Sequence, residues 1–181
     1  MPITTRHATP DDAAQLHDVA ARTFGLACPP GTLPSDVDAF VARHLSKERF
    51  EEYLTDPDRI ILIAESDGVP VGYSMLVNKP ITDTDVRAVV NDPAAIELSK
   101  FYVLLDNHGS GIAGTLMRAT LSAAASTGVP SVWLGVNQRN TRAAKFYDKH
   151  GFTVVGNKRF LVGEQWHDDH VRVRPLGDQP T

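Results

Sequence analysis

The stretch His108 to Gly114, HGSGIAG, holds a full Gly-x-Gly-x-x-Gly at Gly109, Gly111 and Gly114. Glycines at this spacing suit a backbone that turns sharply out of a strand and enters a helix. A loop at a helix N-terminus cradles anions, because free N–H groups and the helix dipole both point at the bound charge. The motif therefore demands a strand–loop–helix unit and suggests a diphosphate ligand. The same spacing serves a dinucleotide-binding turn, and it also occurs at helix entries that bind nothing.

A dinucleotide fold places this loop in its first strand–helix turn, with an acidic residue ~20 positions on to hold the ribose. Here the loop lies past the middle of a 181-residue chain, and no Asp or Glu occurs between Asn107 and Asp148. Both requirements fail. The acid-free stretch carries Arg118, Arg139, Arg142 and Lys145 instead, with His108 beside the glycines. A chain of net charge −4 thus keeps a purely basic segment around its phosphate-type loop. Overall acidity argues against nucleic acid as the main partner, since phosphate backbones attract a basic field.

The surrounding pattern alternates strands and helices. Ile3 to Ala8 opens as a strand; Thr9 reads as an N-cap with Pro10 at the first helical position, and Leu16, Val19, Ala20 and Phe24 carry a helix to about Phe24. Gly25 to Pro34 is a loop by composition, and Ser35 restarts a helical region through Phe40, Val41, Leu45, Phe50 and Tyr53 towards Leu54. Arg59 to Glu65 and Val71 to Val77 form a hairpin about Ser66-Asp67-Gly68, followed by a weakly patterned excursion from Asn78 to Pro93. Ala94 to Leu104 is a long strand, and the helix 111–127 is stopped by Gly128 and Pro130. Ser131 to Val136 is a strand, Asn140 caps a helix over 141–150 that ends at Gly151, and Phe152 to Val155 with Trp166 to Val173 make an antiparallel tail. The whole is a mixed α/β sheet.

Length favours one domain, since domains run to roughly 100–200 residues, and we assign it to 1–176 with a short tail over 177–181. The start, MPITTRHATPDD, lacks a basic-then-apolar stretch, and the longest aliphatic run, Ile60 to Ala64, is far short of the ~20 residues that span a bilayer. A cytoplasmic address with no membrane partner is the simplest expectation. Cys28, the single cysteine, excludes an intrachain disulfide and a multi-thiolate metal site, and it reads as a surface or loop thiol. His167-Asp-Asp-His170 is expected to hold no metal, because strand residues three apart face opposite sides.

FYVLLDNHGSGIAGTLM resembles the acetyl-CoA motif of the GNAT (Gcn5-related) N-acetyltransferases, with His108 at the usual Gln/Arg position, Gly109 and Gly111 at the glycines and Ala113 at the final small residue. LGVNQRNTRAAKFYDKHGF is similar to the family's second signature, with Asn140, Ala143, Phe146, Tyr147, Gly151 and Phe152 in register. The likeness extends over nearly the whole chain. Within the family, IELSKFYV, VWLGV and FLVGEQWHDD are most similar to the PaiA-type polyamine N-acetyltransferase branch. Two positions depart from the pattern: His108 replaces Gln or Arg, and Leu105 stands where proline is common.

The resemblance implies an α/β (α+β) fold: a mostly antiparallel sheet of six to seven strands, splayed at strands 4 and 5 and flanked by about four helices. It implies acetyl-CoA as co-substrate and no metal. Main chain around Phe101 and Val103 would pair with pantetheine, while the loop from His108 through Gly109, Ser110, Gly111, Ile112, Ala113 and Gly114 would hold the diphosphate. Asn140 caps its helix and would also touch the cofactor. Acetyl transfer needs a neutral amine and a protonated leaving thiol. Glu97 is the candidate base or substrate anchor, expected on one strand face with Ser99 and Phe101. Tyr147 is the candidate acid, beside Phe146 on the helix that Asn140 caps. The expected reaction is acetylation of a primary amine, polyamine-like, by direct attack in a ternary complex. The alternatives are a protein or peptide amine, or a CoA-binding sensor without chemistry. The acidic set Asp36, Asp38, Glu48, Glu51, Glu52, Asp56 and Asp58 is expected to border the acceptor site and draw in a cation. A homodimer is a further expectation from the family.

Overall fold

The computed structural model describes residues 2–104 and 111–177. Its sheet runs in the order β1 (Ile3–His7), β2 (Arg59–Ser66), β3 (Val69–Val77), β4 (Ile96–Val103), β5 (Ser131–Asn137), β7 (Gln165–Pro175), β6 (Thr153–Val162). Every neighbouring pair is antiparallel except β4 and β5. That parallel pair is joined only at Ile96↔Val132 and Glu97↔Trp133, after which the two strands separate. The gap is the splay that the family likeness implies.

Helices cover both faces. Ser74 on β3 hydrogen-bonds Thr120 of α5 (Ile112–Ser126), Oγ to Oγ1, at 2.7 Å, which puts α5 on the even-numbered face of β3. Tyr73, one residue away, meets the ring of Phe50 of α3 (Lys47–Thr55) at 5.7 Å on the opposite face, where α1 (Ala13–Ala27) also packs. Phe146 of α6 (Thr141–Lys149) lies 5.4 Å from Phe101 on the α5 side. Alternation along β3 thus feeds two cores, one per face, as a sheet buried on both sides requires.

Six α-helices occur among the described residues, against the four expected. The early helical region divides into α2 (Pro34–His44) and α3, because Ser46 stops one helix and caps the next, its Oγ accepting from Arg49 N at 3.1 Å. The excursion after Asn78 contains α4 (Thr84–Val89), capped by Asp83, whose Val86 is fully buried against the sheet. At the other extreme, β6 is ten residues long where four were expected. Its outward residues are exposed, so its alternation is shallow. The helix entries do match: Asn140 Oδ1 accepts from Ala143 N at 3.1 Å, and α1 follows a short 3-10 turn, Pro10–Asp12.

Candidate active site

The separation of β4 and β5 opens a cleft of about 460 Å³ that reaches both faces of the sheet. Its walls come from β4, β5, β6, β7, α1, α2, α5 and α6. One irregularity decides which side chains enter from where. Lys100 is opposite Met75 and Leu98 is opposite Leu76, so Ser99 is an extra residue on β4, a β-bulge. An unbroken strand would keep Glu97, Ser99 and Phe101 on one face, as expected from the sequence. The bulge overturns that expectation. Glu97, opposite Val77, shares a face with Lys100 and Tyr102, whereas Phe101, opposite Ser74, faces α5 and α6.

On the α6 side the aromatic residues of the second signature pack together. Phe146 packs over Phe101, and Tyr147 stands edge-on to Phe152 at 5.6 Å; both Phe146 and Tyr147 line the cleft. Burial holds the Tyr147 phenol well above its ordinary pKa, and Arg172 opposes that rise with its positive charge. The phenol is therefore protonated at neutral pH. Asn140, Arg142 and Ala143 from the start of α6 and Ala113 from the start of α5 line the same end. Gly111 forms the N-cap of α5 with φ 88°, a left-handed conformation that explains a glycine there. Ile112 is fully buried and packs into the core, which leaves its main chain at the helix entry. Gly114 lies one turn in, close to Arg118, and Val103 is buried at the end of β4. His108, Gly109, Ser110 and Leu105 lie outside the described residues.

On the other face, Glu97 is joined by residues that sequence reasoning passed over: Lys100 and Tyr102 from β4, Lys158 and Phe160 from β6, His167 and Asp169 from β7. Register makes them neighbours, since Lys158 pairs with Asp169 and Phe160 with His167. Burial raises the carboxyl pKa of Glu97 and pushes that of Asp169 up to about 6. Burial also lowers the Lys100 ammonium to about 8, although Glu97 pulls the other way. His167 Nε2 is buried without a hydrogen-bond partner.

His170 falls on the opposite face from His167, as strand alternation requires, and among the described residues no cluster of three metal-ligating side chains occurs. Cys28 is the loop thiol of the two sequence readings, half-buried and off the open surface. It lines the cleft after α1, its Sγ 3.6 Å from Phe24 O, and burial pushes its pKa up to about 11. None of the acidic residues of the early helices lines the cleft; Glu51, Glu52 and Asp56 are instead in ion pairs with Lys47, Arg49 and the pair Arg59 and Lys79. Among the described residues, the carboxylates of the cleft are Glu97 and Asp169.

A sheet split between two parallel strands, with a glycine-led helix entry at one mouth and a carboxylate and a phenol across the gap, defines an acyl-CoA-dependent transferase. A profile of the acetyltransferase (GNAT) family matches residues 27–152. An uncharacterized N-acetyltransferase of Mycobacterium tuberculosis (strain ATCC 25618 / H37Rv) is 47% identical over 165 residues, covering 91% of this chain and 98% of its own. The PaiA N-acetyltransferase of Thermoplasma acidophilum, solved in complex with coenzyme A, superimposes with a TM-score of 0.76 at 20% identity, covering 97% of this chain and 99% of that one. The yncA putative acetyltransferase of Salmonella typhimurium, solved with acetyl-CoA, gives 0.65 at 19% identity over 100% and 98%. The chain belongs to the GNAT acetyltransferase family, and it is an N-acetyltransferase with acetyl-CoA as co-substrate.

Proposed function

We propose that the protein transfers the acetyl group of acetyl-CoA to the primary amine of a small molecule by direct attack. The observation that carries this reading is the placement of Glu97 and Tyr147 on opposite sides of one cleft. Acetyl-CoA lies in the gap between β4 and β5, its pantetheine along the main chain of Phe101 and Val103. Its diphosphate sits at the start of α5, held by the loop through His108, Gly109, Ser110 and Gly111 with the main chain of Ile112, Ala113 and Gly114. Asn140 borders the same end.

The acceptor amine enters from the Glu97 side. Its ammonium gives a proton to Glu97, whose burial-raised pKa makes it a stronger base than an exposed carboxylate. The freed nitrogen bonds the thioester carbonyl carbon, the C–S bond breaks, the departing thiolate takes the phenolic proton of Tyr147, and the proton still carried by the acetylated nitrogen passes through solvent to restore the phenol. Arg172, which favours the charged form of Tyr147, eases formation of the phenolate. No covalent acetyl-enzyme forms, and the high pKa of Cys28 fits that scheme.

A polyamine-like acceptor has Glu97 and Asp169 in its favour, together with the sequence resemblance to the PaiA-type branch. Lys100 and Lys158, on the same side, weigh against a pure polycation. The test is initial-rate kinetics by CoA thiol release, varying acetyl-CoA and amine together. Intersecting double-reciprocal lines are expected; parallel lines would replace direct attack with an acetyl-enzyme. Because acetyl-CoA is a charged molecule that does not cross lipid, the scheme suits a cytoplasmic enzyme. No helix among the described residues is long and apolar enough to cross a membrane.

A further inference from the structure

Among the described residues, four charged side chains line the acceptor side of the cleft: Glu97 and Lys100 from β4, Lys158 from β6 and Asp169 from β7. Among the described residues none of them is in an ion pair within 4.0 Å, and none has a side-chain hydrogen bond to the protein. Elsewhere the chain pairs its sheltered charges. Asp12 is held by Arg6 at 2.8 Å, Asp56 by Arg59 at 3.0 Å, and the buried Arg172 by Asp148 at 2.6 Å. Sheltered charges without a contact partner are only partly compensated by the Coulomb attraction among themselves, so their persistence in one cleft points to a partner that arrives with the ligand.

The placement of Lys158 adds to this. A Cβ on Gly135 of β5 would lie 2.6 Å from Lys158 Cε and 3.4 Å from Asp169 Oδ2. The missing side chain is what lets the Lys158 stem lie across β5, with its ammonium 5.2 Å from the Phe160 ring centroid. Lys100 sits deeper, its ammonium 5.9 Å from the Tyr53 ring centroid. A polycation would satisfy Glu97 and Asp169 but be repelled by both lysines. A simple alkylamine would leave both lysines unpaired. The charge set is balanced, two against two, and only a ligand carrying both signs answers it.

We propose that the acceptor is a zwitterionic amine of amino-acid type, its ammonium held by Glu97 and Asp169 and its carboxylate by Lys100 and Lys158. This rests on the acetyl-transfer reading above. Charge-assisted contacts to a carboxylate are the strong class of hydrogen bond, and they also fix which end of the acceptor faces the thioester. The bound carboxylate restores a counter-charge to Lys100, whose ammonium burial otherwise disfavours.

The test uses two matched sets with acetyl-CoA and thiol release: leucine, leucinamide and isopentylamine; lysine, lysinamide and cadaverine. The carboxylate-bearing amine is expected to lead its set in kcat/KM by about tenfold or more. Lys158→Gln is expected to remove that lead by raising KM far more for the acid than for the amide, and Lys158→Arg is expected to keep it. Equal or better turnover of the amides or of cadaverine by the wild type overturns the zwitterion proposal and leaves acetyl transfer standing. An equal loss for acid and amide in Lys158→Gln also overturns it. Absence of transfer to every amine in both sets overturns both readings.

Discussion

Glu97 and Phe101, four positions apart on β4, stand on opposite faces of the sheet, because Ser99 is bulged out between them. In the proposed scheme the bulge lets one strand serve both reactants: Glu97 and Lys100 line one face of the cleft, while Phe101 packs under Phe146 on the helix that carries Tyr147. Bulges beside active sites re-aim side chains in this way, at the expense of one ladder position.

Glu97→Gln keeps the shape of that side chain and removes its proton-accepting capacity. Turnover is expected to fall by about 10²-fold or more. The Glu97 carboxyl pKa is raised in the folded enzyme, and only its deprotonated form acts, so wild-type kcat/KM falls as pH drops through that raised value. Asp169 titrates at about 6 in the same cleft, so the profile is measured for Asp169→Asn as well. The acidic limb should vanish in Glu97→Gln and survive in Asp169→Asn; the reverse pattern assigns the base to Asp169.

For Tyr147 the separation of binding from chemistry is the diagnostic. The ring packs against Phe146 and Phe152, and phenylalanine preserves both contacts. Tyr147→Phe is expected to lower kcat by about 10²-fold while the acetyl-CoA Kd, measured by calorimetry, stays within about twofold of wild type. Unaltered kcat would remove Tyr147 from the proton path.

Arg172 anchors the helix behind that tyrosine. Its side chain is 5% exposed, and Nη1 donates to Asp148 Oδ1 at 2.6 Å and to Phe152 O at 2.9 Å. Arg172→Met strands the Phe152 carbonyl and frees the end of α6, and it should cost about 2–3 kcal/mol in urea denaturation. It also removes the positive charge that favours the Tyr147 phenolate, so kcat should drop beyond any loss of folded protein at the assay temperature. Arg172→Lys, which keeps the charge and not the fork, should recover kcat more fully than stability. If both variants lose stability and neither changes the kcat of folded enzyme, Arg172 only braces the fold.

The parts legible from sequence were local in origin. The helix at 141–149 showed itself because a cap, an amphipathic turn and a stopping glycine fall within twelve residues, Asn140 to Gly151. The acetyl-CoA motif likewise sits in one continuous strand–loop–helix text. The α4 helix stayed hidden because six residues between prolines make less than two turns, too short for a period. No residue type marks Ser99 as bulged, and a single inserted residue reverses every face assignment after it. The acceptor charges were illegible for a different reason. Lys100, Lys158 and Asp169 come from three strands, and only the order β5-β7-β6 beside the splayed β4 brings them to one cleft.

Stability away from the cleft is tied to pH through the first strand. Arg6 grips Asp12 with two hydrogen bonds, Nη1 to Oδ2 at 2.8 Å and Nη2 to Oδ1 at 2.9 Å, and gives Nε to Glu65 at 2.7 Å. Asp12 in turn accepts from Thr9 N at 2.7 Å, so the guanidinium holds the entry of α1 against the sheet. The contacts to Arg6 lower the Asp12 pKa from 3.8 to about 2. A depressed folded-state pKa means the stabilisation is complete above the unfolded value and is lost as pH falls from about 4 towards 2. With Arg6 39% exposed, solvent screening limits the Arg6–Asp12 contribution to about 1 kcal/mol. Arg6→Met should therefore be less stable than wild type by about that much at neutral pH and nearly equal to it at about pH 2. Urea titrations of the two proteins at each pH measure the gap, and a gap that stays constant between them would assign the loss to packing of the Arg6 stem and not to its charge.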